Sequence, residues 1–210
     1  MKKERTFKEV RVKSPLNKLK RKIPYGWDLN IYRGCQHGCR YCYALYSHDY
    51  LGSGDFYRDI HIKINIVEEL EKKLKDPAWK REVINIGGVT DSYQPAEEKY
   101  QLMPQIIKLL IKYKSPAIIS TKSKLVLRDF DLIDQLSRLT YINIAATITT
   151  VEEDVRKKIE PGSSSKALYK RGGAGKEYKE QLYKVVNSLR DKYQLSRSYM
   201  KPMRERLNPN

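Results

Sequence analysis

The sequence predicts an α/β fold built on a parallel sheet of about four strands, and three observations predict it. Short apolar runs rich in β-branched residues recur at Val83-Ile84-Asn85-Ile86, Pro116-Ala117-Ile118-Ile119 and Tyr141-Ile142-Asn143-Ile144-Ala145-Ala146. That is the pattern of strands buried on both faces. Amphipathic stretches separate them at a repeat of roughly 30 residues, so each strand runs parallel to the last through a right-handed crossover, in an open sheet or part of a barrel. Finally, each strand leads into a polar motif at its C-terminal end, where such architectures gather ligands.

In chain order, residues 1–22 form a basic segment with ten Lys or Arg against two Glu. Leu29 to Arg33 is a short extended run into a cysteine-rich loop. Ile66, Val67, Leu70 and Leu74 recur at helical spacing; Met103, Ile106, Ile107, Leu110 and Ile111 mark a second helical face, and Phe130, Ile133 and Leu136 a third. Residues 23–161 therefore read as one core. After Glu160-Pro161-Gly162 the character changes. Ser163-Ser164-Ser165 and Gly172-Gly173-Ala174-Gly175 mark residues 162–176 as a flexible linker. Gly175-Lys176 fails as a phosphate loop, because Lys170 stands where the first glycine belongs and Glu177 follows the lysine. On the last stretch Tyr178, Leu182, Val185, Val186 and Leu189 share one helical face, so residues 177–210 read as a C-terminal helix and a basic tail.

The formal charge is +17 over 210 residues. Residues 1–22 and 166–206 carry +8 each, so a nearly neutral body has two basic flanks. Either they neutralise nucleic-acid phosphates or they are solvated termini without a partner. No apolar stretch approaches the roughly 20 residues needed to cross a bilayer. The opening Met1-Lys2-Lys3-Glu4-Arg5 carries no apolar leader, and the expectation is a cytoplasmic protein without a membrane partner.

All three cysteines lie at one place, Cys35-Gln36-His37-Gly38-Cys39-Arg40-Tyr41-Cys42. An odd number of clustered thiols argues against a disulfide and for metal. Three thiolates hold three irons of a cubic iron-sulfur cluster, or three corners of a tetrahedral zinc with His37 as the fourth ligand. Three incidental buried thiols are the remaining reading.

The flanks of the loop carry more. Asn30-Ile31-Tyr32-Arg33-Gly34-Cys35 and Cys39-Arg40-Tyr41-Cys42-Tyr43-Ala44 resemble the cluster-binding signature of the radical S-adenosylmethionine enzymes, closest to the branch related to spore photoproduct lyase. Val12 to Lys18, Gly87-Gly88-Val89-Thr90-Asp91-Ser92-Tyr93-Gln94-Pro95-Ala96-Glu97, Ser120-Thr121-Lys122-Ser123 and Thr147-Ile148-Thr149-Thr150 resemble further segments of that branch in the same order.

The resemblance implies a partial (β/α) barrel and two cofactors. Cys35, Cys39 and Cys42 would bind a 4Fe-4S cluster as thiolates, favoured electrostatically by Arg33 and Arg40. S-adenosylmethionine would contact Tyr41 through its adenine, the Gly87 and Gly88 backbone through its amino group, and Lys122 and Thr147 through its carboxylate. Thr90 and Asp91 would be further polar residues of that site. Tyr43 and Tyr93 are candidate redox-active side chains, with aromatic packing the ordinary alternative; His48 and His61 read as surface or helix histidines. The implied activity is reductive cleavage of S-adenosylmethionine to a deoxyadenosyl radical, fed by a flavodoxin- or ferredoxin-type electron donor. Repair of spore photoproduct in that branch uses an additional cysteine, and every cysteine here is committed to metal, so repair by that route is not expected.

Two strand-helix units usual in the family have no counterpart after Pro161. The expectation is a shortened barrel with an exposed last edge, covered by a partner chain or second copy or else left open with weakened activity. The competing class is a non-catalytic zinc or iron-sulfur knot that binds nucleic acid.

Overall fold

A computed structural model describes residues 5–20, 23, 25–51, 54–150 and 152–164. The predicted linker beyond Ser164, the helix Tyr178 to Tyr193 and the basic tail lie outside the described residues. The elements run β1 (Thr6–Val10), β2 (Leu16–Lys18), β3 (Trp27–Leu29), β4 (Tyr32–Arg33), β5 (Asp59–Lys63), α1 (Ile66–Lys75), β6 (Ile84–Ile86), α2 (Ala96–Tyr100), α3 (Leu102–Tyr113), β7 (Ala117–Thr121), α4 (Phe130–Ser137), β8 (Ile142–Ala146) and α5 (Glu153–Ile159). Two 3₁₀ segments, Tyr43–Leu51 and Lys124–Asp129, follow the cysteine loop and β7.

Four strands are parallel as expected: β3, β6, β7 and β8 pair in that order, with β2 antiparallel on the outer side of β3. Their side chains alternate across the sheet. Ile84, Ile86, Ala117 and Ile119 enter the main core with Leu70 of α1, Ile106 and Leu110 of α3 and Ile133 of α4. Burying a side chain of this size contributes about 1.5–3 kcal/mol. Val83, Ile118 and Tyr141 point the other way and form a small second cluster against Tyr25. Asn85 and Ser120, in phase with these, line a pocket on that face.

The expectation of one sheet is corrected. A second sheet, β1-β5-β4, pairs β1 parallel and β4 antiparallel to β5. The segment read as a basic N-terminal flank thus supplies β1 and β2. β1 escapes sequence reading because four of its five residues are exposed, so it has no apolar alternation. The described strands form two mixed sheets in an α/β fold. Among the described residues β8 pairs on one side only, and its residues are half-buried or exposed. His48 lies on the 3₁₀ segment Tyr43–Leu51 and His61 on β5, and the surface reading is corrected for both: they are buried, 5.8 Å apart between ring centroids, and His48 packs edge-on to Phe56.

Glu97 locks the cysteine-loop side of the sheet to the helices. Its buried carboxylate accepts from the backbone N–H groups of Leu102 (3.1 Å) and Met103 (2.9 Å) in the first turn of α3. It also accepts from the Tyr32 hydroxyl at 2.5 Å and from Arg128 at 2.8 Å. A carboxylate at a helix N-terminus meets unpaired donors and the positive end of the dipole. No described helix is long and apolar enough to cross a membrane.

Candidate metal and cofactor site

The cysteine loop begins with a turn that only glycine can make. Gly34 has φ +83°, and a Cβ there would meet the Asp59 carbonyl at 2.7 Å and the Phe56 carbonyl at 2.9 Å. The segment after β6 then braces the loop. Gly34 O accepts from Thr90 Oγ1 at 2.6 Å and Gln94 Nε2 at 3.2 Å. Gln36 N donates to Gln94 Oε1 at 2.9 Å, and Gln36 Oε1 accepts from Ala96 N at 2.6 Å. Tyr57 completes the brace by donating to the Cys39 carbonyl at 2.6 Å.

His37 and Asp91 form the buried centre of this frame. His37 Nε2 lies 2.9 Å from Asp91 Oδ2, and Nδ1 lies 2.9 Å from the Gly162 carbonyl. Both ring nitrogens are engaged, so His37 is not available as a zinc ligand, which removes the ligand set expected for a tetrahedral zinc. Burial opposes charge on His37, but the Asp91 carboxylate outweighs it and raises the imidazole pKa. Burial likewise opposes charge on Asp91, and His37 with the backbone N–H groups lowers its pKa nonetheless. Asp91 also accepts from Lys122 N at 2.7 Å, Thr121 Oγ1 at 2.8 Å and Tyr93 N at 2.8 Å. With its acceptor positions filled from the protein, Asp91 serves as a brace, and Thr90 does the same through Gly34.

One cavity of about 360 Å³ collects Cys35, Cys39, Cys42, Tyr41, Tyr43, Gly87, Gly88, Lys122 and Thr147, with Thr90 and Asp91 on its wall. The residues named from the sequence come from four separate segments and meet in one place. Among the described residues no three His, Cys, Asp or Glu side chains converge closely enough to hold a single ion. The thiols instead face a shared space. Burial pushes the Cys35 thiol up to about 12, with Asp91 adding to it. Burial and Glu160 push Cys39 up to about 11. Arg33 and Arg40 do not supply the expected thiolate stabilisation: Arg40 lines a different cavity, behind the loop, and the cation acting on Cys39 is Lys122, which favours the thiolate without offsetting burial.

The ledge opposite the thiols is Gly87-Gly88. Gly87 has φ +93°, and a Cβ there would lie 2.9 Å from the Ser120 carbonyl; on Gly88 it would lie 2.8 Å from Asp28 Oδ2. Both glycines are therefore required by close protein packing, against Ser120 and Asp28, and they leave backbone on the cavity wall without side chains of their own. Tyr43 is 69% exposed and donates to the Gly88 carbonyl, while Tyr93 is fully buried in the core. Lys122 Nζ pairs with Glu160 at 2.9 Å and donates to the Tyr41 hydroxyl at 3.1 Å.

Glu160 and Gln94 were missed as site residues, and His37, expected only as a zinc ligand, is instead a brace to Asp91. Glu160 and Pro161 closed the predicted core and Gly162 opened the predicted linker, but residues 162–164 are fixed here. Gly162 N donates to the His37 carbonyl at 2.8 Å, and Ser164 N to the Lys122 carbonyl at 3.2 Å. A Cβ on Gly162 would lie 2.3 Å from the Gln36 carbonyl, and this glycine directly after a proline was the available signal.

Residues 29–192 match the sequence model of the family described as the Radical SAM superfamily. An uncharacterized protein of Mycobacterium tuberculosis is 37% identical over 163 residues, which cover 75% of this chain and 48% of that protein. An uncharacterized protein of Methanocaldococcus jannaschii is 32% identical over 173 residues, covering 78% of this chain and 62% of that protein. The chain thus spans about half the length of the mycobacterial relative. Among solved structures, spore photoproduct lyase complexed with dinucleoside spore photoproduct aligns with a TM-score of 0.55 at 13% identity, over 95% of this chain and 66% of that one. A mutant form of that lyase with the same dinucleoside aligns with a TM-score of 0.57 at 14% identity, over 94% and 64%. At this identity the likeness is one of fold.

Proposed function

Because the chain belongs to the Radical SAM superfamily, we propose that it is an iron-sulfur enzyme that cleaves S-adenosylmethionine to begin radical chemistry on a further substrate. The observation that carries this reading is the meeting of three thiols, a glycine ledge and one ammonium around a single cavity. The donor set fits the cofactors: three soft thiols for iron, a carboxylate partner in Lys122, and bare backbone at Gly87 and Gly88. Bound there, cluster and S-adenosylmethionine would together supply a one-electron cleavage that yields a deoxyadenosyl radical.

This chain's own residues do the rest. Cys35, Cys39 and Cys42 hold the metal, and the Thr90 to Gln94 segment holds their loop in shape. Lys122 and Thr147 orient the carboxylate, Tyr41 lies against the adenine, and Tyr43 covers the cavity mouth from its bond to Gly88. Asp91 keeps Lys122 and His37 in register and touches no cofactor. The finer architecture we propose is a partial barrel open beyond β8.

The electron would come from a flavodoxin- or ferredoxin-type donor in a reducing cytoplasm. We place that donor behind the cysteine loop, where Arg5, Arg40 and Arg58 line a second cavity. A nucleic-acid substrate is supported by the +17 charge and by the dinucleoside in the spore photoproduct lyase complex.

Anaerobic reconstitution tests the reading. About four irons per chain are expected, with a reduced paramagnetic signal that changes when S-adenosylmethionine is added. Cys39→Ala should abolish loading. Full iron loading in that variant, or stoichiometric zinc in place of iron, would sink the assignment.

A further inference from the structure

The pocket is bordered by a residue that none of the motifs contains. Glu160 follows α5, and its side chain is fully buried. Its Oε1 accepts from Lys122 Nζ at 2.9 Å, from Thr149 Oγ1 at 2.5 Å and from the Tyr41 hydroxyl; Oε2 accepts from Ser163 Oγ at 3.3 Å. The backbone is held as firmly. Glu160 N donates to the Arg156 carbonyl at 2.7 Å, and Glu160 O accepts from Arg156 Nη1 at 3.1 Å. Two residues later the chain is tied to the cysteine loop through Gly162 and His37.

This knot has a consequence for ligand binding. Among the described residues Lys122 carries the one ammonium on the pocket wall, so it is the primary amine that an anionic group in the cavity meets. A lysine side chain left free would lose much rotamer freedom on binding. Here that freedom is already restricted, because Lys122 Nζ donates to Glu160 and to the Tyr41 hydroxyl and lies 5.5 Å from the centre of the Tyr41 ring. An ammonium has three hydrogens, and two are occupied.

We propose that Glu160 is a positioning residue for the cofactor: it pins the Lys122 ammonium and the Tyr41 hydroxyl to one point of the pocket wall and leaves the third ammonium hydrogen for the ligand carboxylate. The segment 152–164, which contributes no lining residue, thereby sets the cofactor site. The inference rests on the radical-enzyme reading and deepens it. It gives Glu160 a task that neither the metal loop nor the glycine ledge can perform, since Tyr41 and Lys122 come from segments 81 residues apart and need a common acceptor.

The test uses the anaerobically reconstituted full chain and equilibrium dialysis with two probes, S-adenosylmethionine and its decarboxylated analogue. Glu160→Gln should keep its iron and bind S-adenosylmethionine about tenfold more weakly, the scale of one hydrogen bond to a charged group. Binding of the decarboxylated analogue should weaken far less, by about twofold at most, because it shares the adenine contact with Tyr41 but never uses Lys122. In a Lys122→Met background, Glu160→Gln should add no further loss. Equal weakening of both probes would mean mere structural damage and would overturn the proposal, as would unchanged or tighter binding of S-adenosylmethionine. Should Glu160→Gln fail to load iron, Glu160→Asp retains the charge one methylene further back and carries the same comparison. Iron-loaded wild type that binds neither probe would instead refute the proposed function.

Discussion

The cysteine loop has two faces, and they handle charge differently. On the cavity side, among the described residues, Lys122 pairs with Glu160 and His37 with Asp91, each at 2.9 Å, and both carboxylates are buried. On the reverse side Arg5, Arg40 and Arg58 line an open cavity with one acid, Asp55, which lies 3.6 Å from Arg58. Buried charge is costly unless paired, whereas solvated charge is inexpensive and screened. The front is therefore built to hold one ligand in one geometry, and the back to attract an anionic surface without fixing it.

The largest effect should come from breaking the front at its centre. Asp91→Ala leaves His37, Thr121, and the N–H groups of Lys122 and Tyr93 without their acceptor. Removing one partner of a buried pair costs about 3–5 kcal/mol, so the urea midpoint should fall accordingly and iron loading with it. Wild-type stability and loading in this variant would show that the front is held by packing and not by paired charge.

Much of that front was legible because its parts sit on strand ends. The apolar runs around Val83, Pro116 and Tyr141 predict parallel strands, and the motif after each lies at the ligand-gathering edge. What stayed hidden is long-range pairing. His37 meets Asp91 across 54 residues and Tyr41 meets Glu160 across 119, and no local spacing encodes either. His48 and His61 stayed hidden for another reason: they occupy buried positions that a polar residue type argues against. β5 was also missed, since Asp59, His61 and Lys63 interrupt its apolar residues although Ile60, His61 and Ile62 are all buried.

Lys63 sharpens the comparison because it follows neither rule. It is half-buried, donates to the Asn30 carbonyl at 2.5 Å and makes no ion pair among the described residues. Burial, with Arg33 nearby, pulls its pKa down to about 8 from 10.5. Folding therefore releases protons from this lysine between those values. Its charged form costs stability below about pH 8, and the cost fades as pH rises toward 10.5, where the unfolded chain also loses its proton. Against a Lys63→Met variant, wild type should gain about 2 kcal/mol in relative stability from pH 7 to 10.5. A difference that does not vary with pH would mean that Lys63 is solvated in the folded protein.

The smallest effect belongs to the reverse face, where charge acts on encounter and not on geometry. Arg40→Glu with Arg58→Glu turns two attractive charges into repulsive ones without entering the cysteine cavity, because Arg40 and Arg58 line only the rear cavity of the two. An acidic donor protein approaching from that side should reduce the cluster about fivefold more slowly at low salt, and the difference should shrink toward one as salt screens it. Reduction by dithionite should change little, since a small reductant needs no docking surface. The cysteine loop is the partition between the two cavities, with Cys39 facing forward and the neighbouring Arg40 facing back. A donor on this face would stand one loop's thickness from the metal. Equal slowing with dithionite and with the donor protein would mean that the substitutions disturb the loop itself, and the donor would then have to meet the chain elsewhere.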